Sequence, residues 1–175
     1  MLRLLLMRHA KSSWDNPETA DYERPLSSRG QQAAPAMGAF MAERDLIPTR
    51  ILCSAAQRAR ETLALLLPHL TGDIDICIAQ RLYQSDAPGY LTAVREYGGT
   101  DLTVLLIGHN PAIEDFAHVL APMGDAAGLA SMKAKYPTCA LAIIGFDLAH
   151  WRDIGPGEGR LISFNTPKTI GAAEP

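Results

Sequence analysis

Leu2–Lys11 reads L-R-L-L-L-M-R-H-A-K. An apolar run this short and leucine-rich, ending abruptly in a cation and an imidazole, predicts a buried strand over Leu2–Met7 whose end presents Arg8 and His9. A second stretch, Leu102–Asn110 (L-T-V-L-L-I-G-H-N), is built the same way, with His109 just past its apolar residues. Two buried strands that both end in histidine decide the reading of the rest.

Further strands are predicted at Arg50–Cys53, Ile74–Ile78, Thr138–Phe146 and Arg160–Phe164. Helical spacing appears between them. Ser27 and Ser28 open a helix that carries Ala33, Met37, Phe40 and Met41 and ends before Pro48. Gln57–Leu67 and Ala87–Tyr97 are helical, and Asn110 as N-cap with Pro111 in the first turn starts another helix that runs to about Leu120. Ala10–Arg24 has no steady period and predicts a loop long enough to be functional. Gly124–Tyr136 is poorly patterned, and 171–175 is expected to fray.

Alternation of strands and helices implies βαβ units and a parallel sheet covered on both faces. The last two strands, joined without a helix, add at least one antiparallel neighbour. The expected fold is an α/β three-layer sandwich, a mostly parallel sheet with helices on both faces, in one domain spanning 1–175.

The chain has 175 residues, 47% apolar and 20% charged, with net charge −3. No global basic field exists to hold nucleic acid or an anionic membrane, so any anion site is local. Cys53, Cys77 and Cys139 are odd in number and sit in or beside apolar runs, which predicts buried thiols rather than a disulfide framework. The apolar start is too short for a signal peptide, and no run approaches the ~18 apolar residues of a membrane span. A reduced, cytoplasmic setting is expected. The oligomeric state stays open, with a monomer the simpler expectation.

In a parallel sheet, ligands bind beyond the carboxyl ends of the strands. That rule gathers Arg8 and His9, then Ser54 and Arg58 after the second strand, then His109 and Asn110. Guanidinium forks match phosphate oxygens, and helix starts after Ser54 and His109 add backbone N–H groups. Lys11, Ser54 and Asn110 are the candidate substrate-binding residues, Lys11 at the rim. Arg24, Arg29 and Arg60 read as surface charges or structural partners, and His69, His118 and His150 as solvated. The chain lacks a G-x-x-x-x-G-K-[ST] loop, a G-x-S-x-G elbow and H-x-H or H-E-x-x-H spacing. Cys53 stands five positions before Arg58, one short of a cysteine phosphatase cradle. Histidine as the nucleophile remains, with arginines neutralising phosphoryl oxygens.

Four ordered motifs carry a resemblance: M-R-H-A-K-S at Met7–Ser12, R-P-L-S-S-R-G at Arg24–Gly30, S-A-A-Q-R-A-R-E-T at Ser54–Thr62 and I-G-H-N-P at Ile107–Pro111. The chain resembles the histidine phosphatase (phosphoglycerate mutase-like) superfamily, in particular its small SixA-like phosphohistidine phosphatases. The resemblance implies that His9 is the phosphorylated nucleophile and that Arg8, Arg58 and His109 hold the phosphoryl group, with no metal and no organic cofactor. It implies a phosphorylated protein, or else a small phosphorylated metabolite, as substrate. One ring nitrogen of His9 must face phosphorus, so the other is expected to donate to a backbone carbonyl. Ala10 stands where most members have glycine. The stretch after the third strand, R-L-Y-Q-S-D-A-P (Arg81–Pro88), lacks the usual glutamate general acid and offers only Asp86, which also fits an N-cap. A non-catalytic phospho-ligand module and a metallohydrolase using His9, His109 and Asp15 are the competing readings.

Overall fold

In the computed structural model, which describes residues 1–172, Leu2–Arg8 forms strand β1 at the centre of the sheet. The other strands are β2 (Arg50–Ser54), β3 (Asp75–Ala79), β4 (Thr103–Gly108), β5 (Met123–Gly124), β6 (Leu141–Phe146) and β7 (Gly159–Asn165). Among the described residues they make one seven-stranded sheet in the order β3-β2-β4-β1-β6-β7-β5. β6 runs antiparallel to β1 and β7, and every other pairing is parallel.

The apolar run of β1 is continuous because both its faces are covered. Leu4 and Leu6 face one layer, with α3 (Ala87–Tyr97), α4 (Ala112–Leu120) and α5 (Ala126–Ala134). Leu5 and Met7 face the other, with α1 (Ser28–Glu43) and α2 (Gln57–Leu66). These four side chains are fully buried, each contributing roughly 1.5–3 kcal/mol on leaving water. The α/β three-layer arrangement and its antiparallel strand are as the sequence predicts.

Four local details differ from the expectation. Strand β6 starts at Leu141, because the segment before it turns: Cys139 has φ 60°, and its N–H donates to the carbonyls of Arg8 and His9 at 3.0 and 3.1 Å. Pro111, not Asn110, is the N-cap of α4. The poorly patterned 124–136 stretch holds α5, capped by Asp125, whose carboxylate accepts from Gly128 N–H at 2.7 Å. At the C-terminal end, Ala172 N–H donates to Pro167 O at 2.9 Å, so residues 171–172 close a turn instead of fraying; 173–175 lie outside the described residues.

Cys53 and Cys139 are buried, free thiols, pushed up to about 12 by burial, and Cys77 is half-buried. His69 departs from its solvated reading: it is half-buried, and its ring fills the space a Cβ at Gly38 would need. No helix among the described residues is long and apolar enough to cross a membrane.

Candidate active site

Register brings the two strand-end histidines together. Arg8 pairs with Gly108 across β1 and β4, so the next residue on each strand emerges at the same level. The N–H of His9 donates to Gly108 O at 3.0 Å, and the two imidazole centroids lie 4.9 Å apart. Strand β2 runs alongside β4, with Cys53 opposite Ile107, and delivers Ser54 and then Arg58 on the first turns of α2. A cleft of about 210 Å³ results, lined by Arg8, His9, Lys11, Ser12, Trp14, Arg24, Arg58, His109, Asn110 and Thr138.

His9 is held in one orientation. Its Nδ1 lies 2.7 Å from its neighbour's carbonyl, Ala10 O, which as an acceptor fixes the proton on Nδ1. Its Nε2 then carries a lone pair, and Arg58 Nε–H points at it from 3.3 Å. The Ala10 N–H donates to Thr62 Oγ1 at 3.0 Å, and Thr62 donates to Arg58 O at 2.7 Å. One threonine, a helical turn beyond Arg58, thus ties the histidine's backbone to the arginine's helix. His9 is 7% exposed; burial first, then the neighbouring His109, Arg58 and Arg8, holds its pKa well below the usual imidazole range. Neutral His9 is the resting form.

His109 is positioned from behind. Ser54 Oγ lies 2.7 Å from its Nε2, and its backbone N–H donates to the Tyr90 hydroxyl at 3.0 Å. A Cβ at Gly108 would collide with that hydroxyl, which accounts for the glycine before the histidine. Burial, with help from Arg58 and Arg8, brings its pKa down to about 4. If Ser54 donates to Nε2, the proton of neutral His109 sits on Nδ1. Among the described residues, three buried polar side-chain atoms lack a protein partner: Arg8 Nε, His109 Nδ1 and Asn110 Oδ1. All three belong to cleft residues; Arg8 Nε is a donor available to an anion, and His109 Nδ1 is one when Ser54 donates to Nε2.

The sequence does not signal Asp21. It lies on a helical turn, Asp21–Glu23, inside the expected loop. Its backbone oxygen accepts from Arg58 Nη1 at 2.5 Å, and its carboxylate takes Arg58 Nη2 at 3.0 Å, Arg24 Nη1 at 2.8 Å and the Tyr83 hydroxyl at 2.7 Å. Burial alone would raise its pKa; the Tyr83, Arg24 and Arg58 hydrogen bonds outweigh it and hold the carboxyl at about 2. Arg24 is not a surface charge. It is 7% exposed, bonded to Ser13 O and Ser12 Oγ as well as Asp21, with its guanidinium 3.2 Å from the centroid of the Trp14 ring.

Other predicted residues fall differently. Ser54 is fully buried behind His109, with its oxygen also accepting from Ala56 N–H, so it orients the histidine and does not line the cleft. Lys11 is exposed at the rim. Asn110 donates to Glu114 Oε2 at 2.6 Å, and its carbonyl oxygen is buried with no partner among the described residues. Asp86 caps α3, accepting from Gly89 N–H at 2.8 Å, and does not line the cleft. Tyr83, three residues earlier, is what that region sends to the site: its ring lies edge-on to His109 at 5.6 Å, and Asp21 as acceptor raises its pKa. Among the described residues no group of three His, Cys, Asp or Glu side chains is placed to hold a metal ion.

The profile of the histidine phosphatase superfamily (branch 1) matches residues 4–85. The chain is 36% identical over 165 residues to an uncharacterized protein of Mycobacterium tuberculosis, covering 93% of this chain and all of that one. In structure it is similar to a protein from Agrobacterium tumefaciens provisionally named phosphohistidine phosphatase SixA, with TM-score 0.79, 29% identity and coverage of 95% and 98% of the two chains. The fold is shared with a protein histidine phosphatase SixA solved with tungstate, at TM-score 0.75 and 22% identity, covering 97% of this chain and 99% of that one.

Proposed function

The chain belongs to the histidine phosphatase superfamily, and from that premise we propose that it is a metal-independent phosphatase working through a phosphohistidine on His9, with phosphohistidine in proteins as its substrate. The observation that carries the reading is the pairing at His9: Nδ1 at 2.7 Å from Ala10 O, and Nε2 bare of protons and facing the cleft donors.

In the first half-reaction Nε2 attacks phosphorus in line as the bond to the leaving nitrogen breaks. The developing charge on the phosphoryl oxygens meets Arg8 Nε–H, Arg58 Nε–H and His109 Nδ1–H, donors held rigidly in a site from which their own desolvation is already complete. The imidazolium that His9 becomes is stabilised by Ala10 O. Water then attacks phosphorus on the opposite face, phosphate leaves, and neutral His9 returns.

The placement of the carboxylates supports phosphohistidine as the substrate. Asp21 is ionised and committed to Arg58, Arg24 and Tyr83; Glu114 accepts from Asn110; Asp86 caps a helix. An alkoxide leaving from a phosphomonoester needs a proton at the oxygen. A phosphohistidine protonated on its far ring nitrogen leaves as neutral imidazole without one. A small phosphorylated metabolite is the alternative substrate, and a side-by-side rate comparison decides. Hydrolysis of phosphohistidine faster than of small phosphomonoesters supports the proposal; the reverse order assigns a metabolite phosphatase. Tight phosphate binding with no turnover of either assigns a binding module.

A further inference from the structure

Beside the phosphoryl cleft lies a second, wider hollow of about 310 Å³, lined by Lys11, Arg29, Lys135 and Lys168 with Thr138, Thr166 and neighbouring apolar residues. It adjoins the cleft, since Lys11 and Thr138 line both. Its cations come from four separate places: the end of β1, the first turn of α1, the C-cap of α5 and the turn after β7. Among the described residues no carboxylate lines it, although the whole chain carries a net charge of −3. Lys11, Lys135 and Lys168 are exposed, and none makes an ion pair with another described residue. The turn that presents Lys168 is held by paired threonine bonds, Thr166 N–H to Thr169 Oγ1 at 2.8 Å and Thr169 N–H to Thr166 Oγ1 at 3.2 Å.

We propose that this hollow is a substrate-docking subsite that takes carboxylate side chains flanking the phosphohistidine of a protein substrate, so that the enzyme prefers phosphohistidine in acidic surroundings. The proposal rests on the phosphohistidine reading above. A second phosphate group is the weaker fit. The cleft offers its phosphoryl group the inward-facing Nε–H donors of Arg8 and Arg58, whereas three of the four cations here are lysines, hydrated point charges spread around an open rim. That spacing suits several carboxylates on a protein surface, drawn in by a local field that the net charge of the chain opposes.

The test uses two phosphohistidine peptides that differ only in flanking Glu or Gln residues, together with free phosphohistidine. For the wild type, KM for the Glu peptide is expected to be roughly tenfold below that for the Gln peptide. The Lys135→Glu, Lys168→Glu double variant removes the difference and leaves kcat and free phosphohistidine turnover unchanged. Equal KM values for the two peptides in the wild type overturn the proposal, as does an equal loss on free phosphohistidine in the variant. If the wild type hydrolyses none of the three, the functional reading fails, and calorimetry with the unphosphorylated Glu peptide decides the hollow alone. Weaker binding to the double variant supports it; equal binding or none overturns it. A small bisphosphate weakened by the double substitution while the Glu peptide is unaffected also overturns it.

Discussion

Asp21 binds Arg58 at two points, through its backbone oxygen at 2.5 Å from Nη1 and its carboxylate at 3.0 Å from Nη2. With both outer nitrogens occupied, the remaining Nε–H is turned toward His9 Nε2. Asp21→Asn keeps the shape and removes the charge that holds this fork. It is expected to lower kcat/KM on phosphohistidine about 10-fold, less than the 10²–10³ expected when the donor itself is removed in Arg58→Ala. Steady-state kinetics on the two variants check the order.

The pH profile follows from two depressed histidines. Burial is the first cause in each: His9 lies well below the ordinary 6.5, and His109 lies at about 4. Both are neutral at neutral pH, so the acid limb of kcat/KM, which reports the free enzyme, is displaced below the ordinary imidazole value of 6.5. A limb centred at 6.5 contradicts the assignment.

Stability carries the same sign. Below 6.5 the unfolded chain takes up protons on these histidines that the folded one refuses, so stability rises with pH there and is lost as pH falls from 6.5 toward 4. Asp21 acts lower: its folded pKa of about 2 lies under the usual 3.8, so its contribution is present above 3.8 and lost as pH falls through about 2. Urea unfolding of wild type and Asp21→Asn at pH 7, 5 and 3 measures the two windows.

Asp86→Asn is expected to leave kcat within about twofold, because asparagine caps α3 as well as aspartate does and neither reaches the cleft. A loss of 10²-fold or more makes Asp86 the proton donor after all. Tyr83→Phe, which keeps the ring beside His109 and removes one bond to Asp21, should cost a few-fold in kcat/KM, through a donor worth about 1 kcal/mol.

Gly30 sits where α1 passes the backbone of Lys11, and a Cβ there would collide with the Lys11 carbonyl oxygen. That oxygen also accepts from the Ser27 N–H at 2.9 Å. Gly30→Ala therefore displaces the loop after His9 and is expected to destabilise by roughly 1–3 kcal/mol, read as a lower urea midpoint.

Most of the fold is legible because its strands are apolar runs with sharp ends, and the strand-end rule brings Arg8, His9, Arg58 and His109 to one cleft from the sequence alone. What was not legible depends on contacts distant in sequence. Asp21 lies in an unpatterned loop and acquires its role only when α2 carries Arg58 against it. Thr62 looks like an ordinary helix residue until Ala10 N–H meets its hydroxyl. Helix α5 gives no periodic signal because its apolar residues do not gather on one face, although Asp125 stands at its start as a capping signal. Arg24 reads from the sequence as either a surface charge or a structural partner, and the loop that folds over it makes it the second.

His9 as the nucleophile is the central proposal for this cleft, and the direct measurement is the site of phosphate on the enzyme. Protein quenched in alkali during turnover of phosphohistidine, then digested and sequenced by mass spectrometry, should carry acid-labile, alkali-stable phosphate on His9, with none in His9→Ala and no turnover by that variant. Label on another residue, or full turnover by His9→Ala, contradicts it.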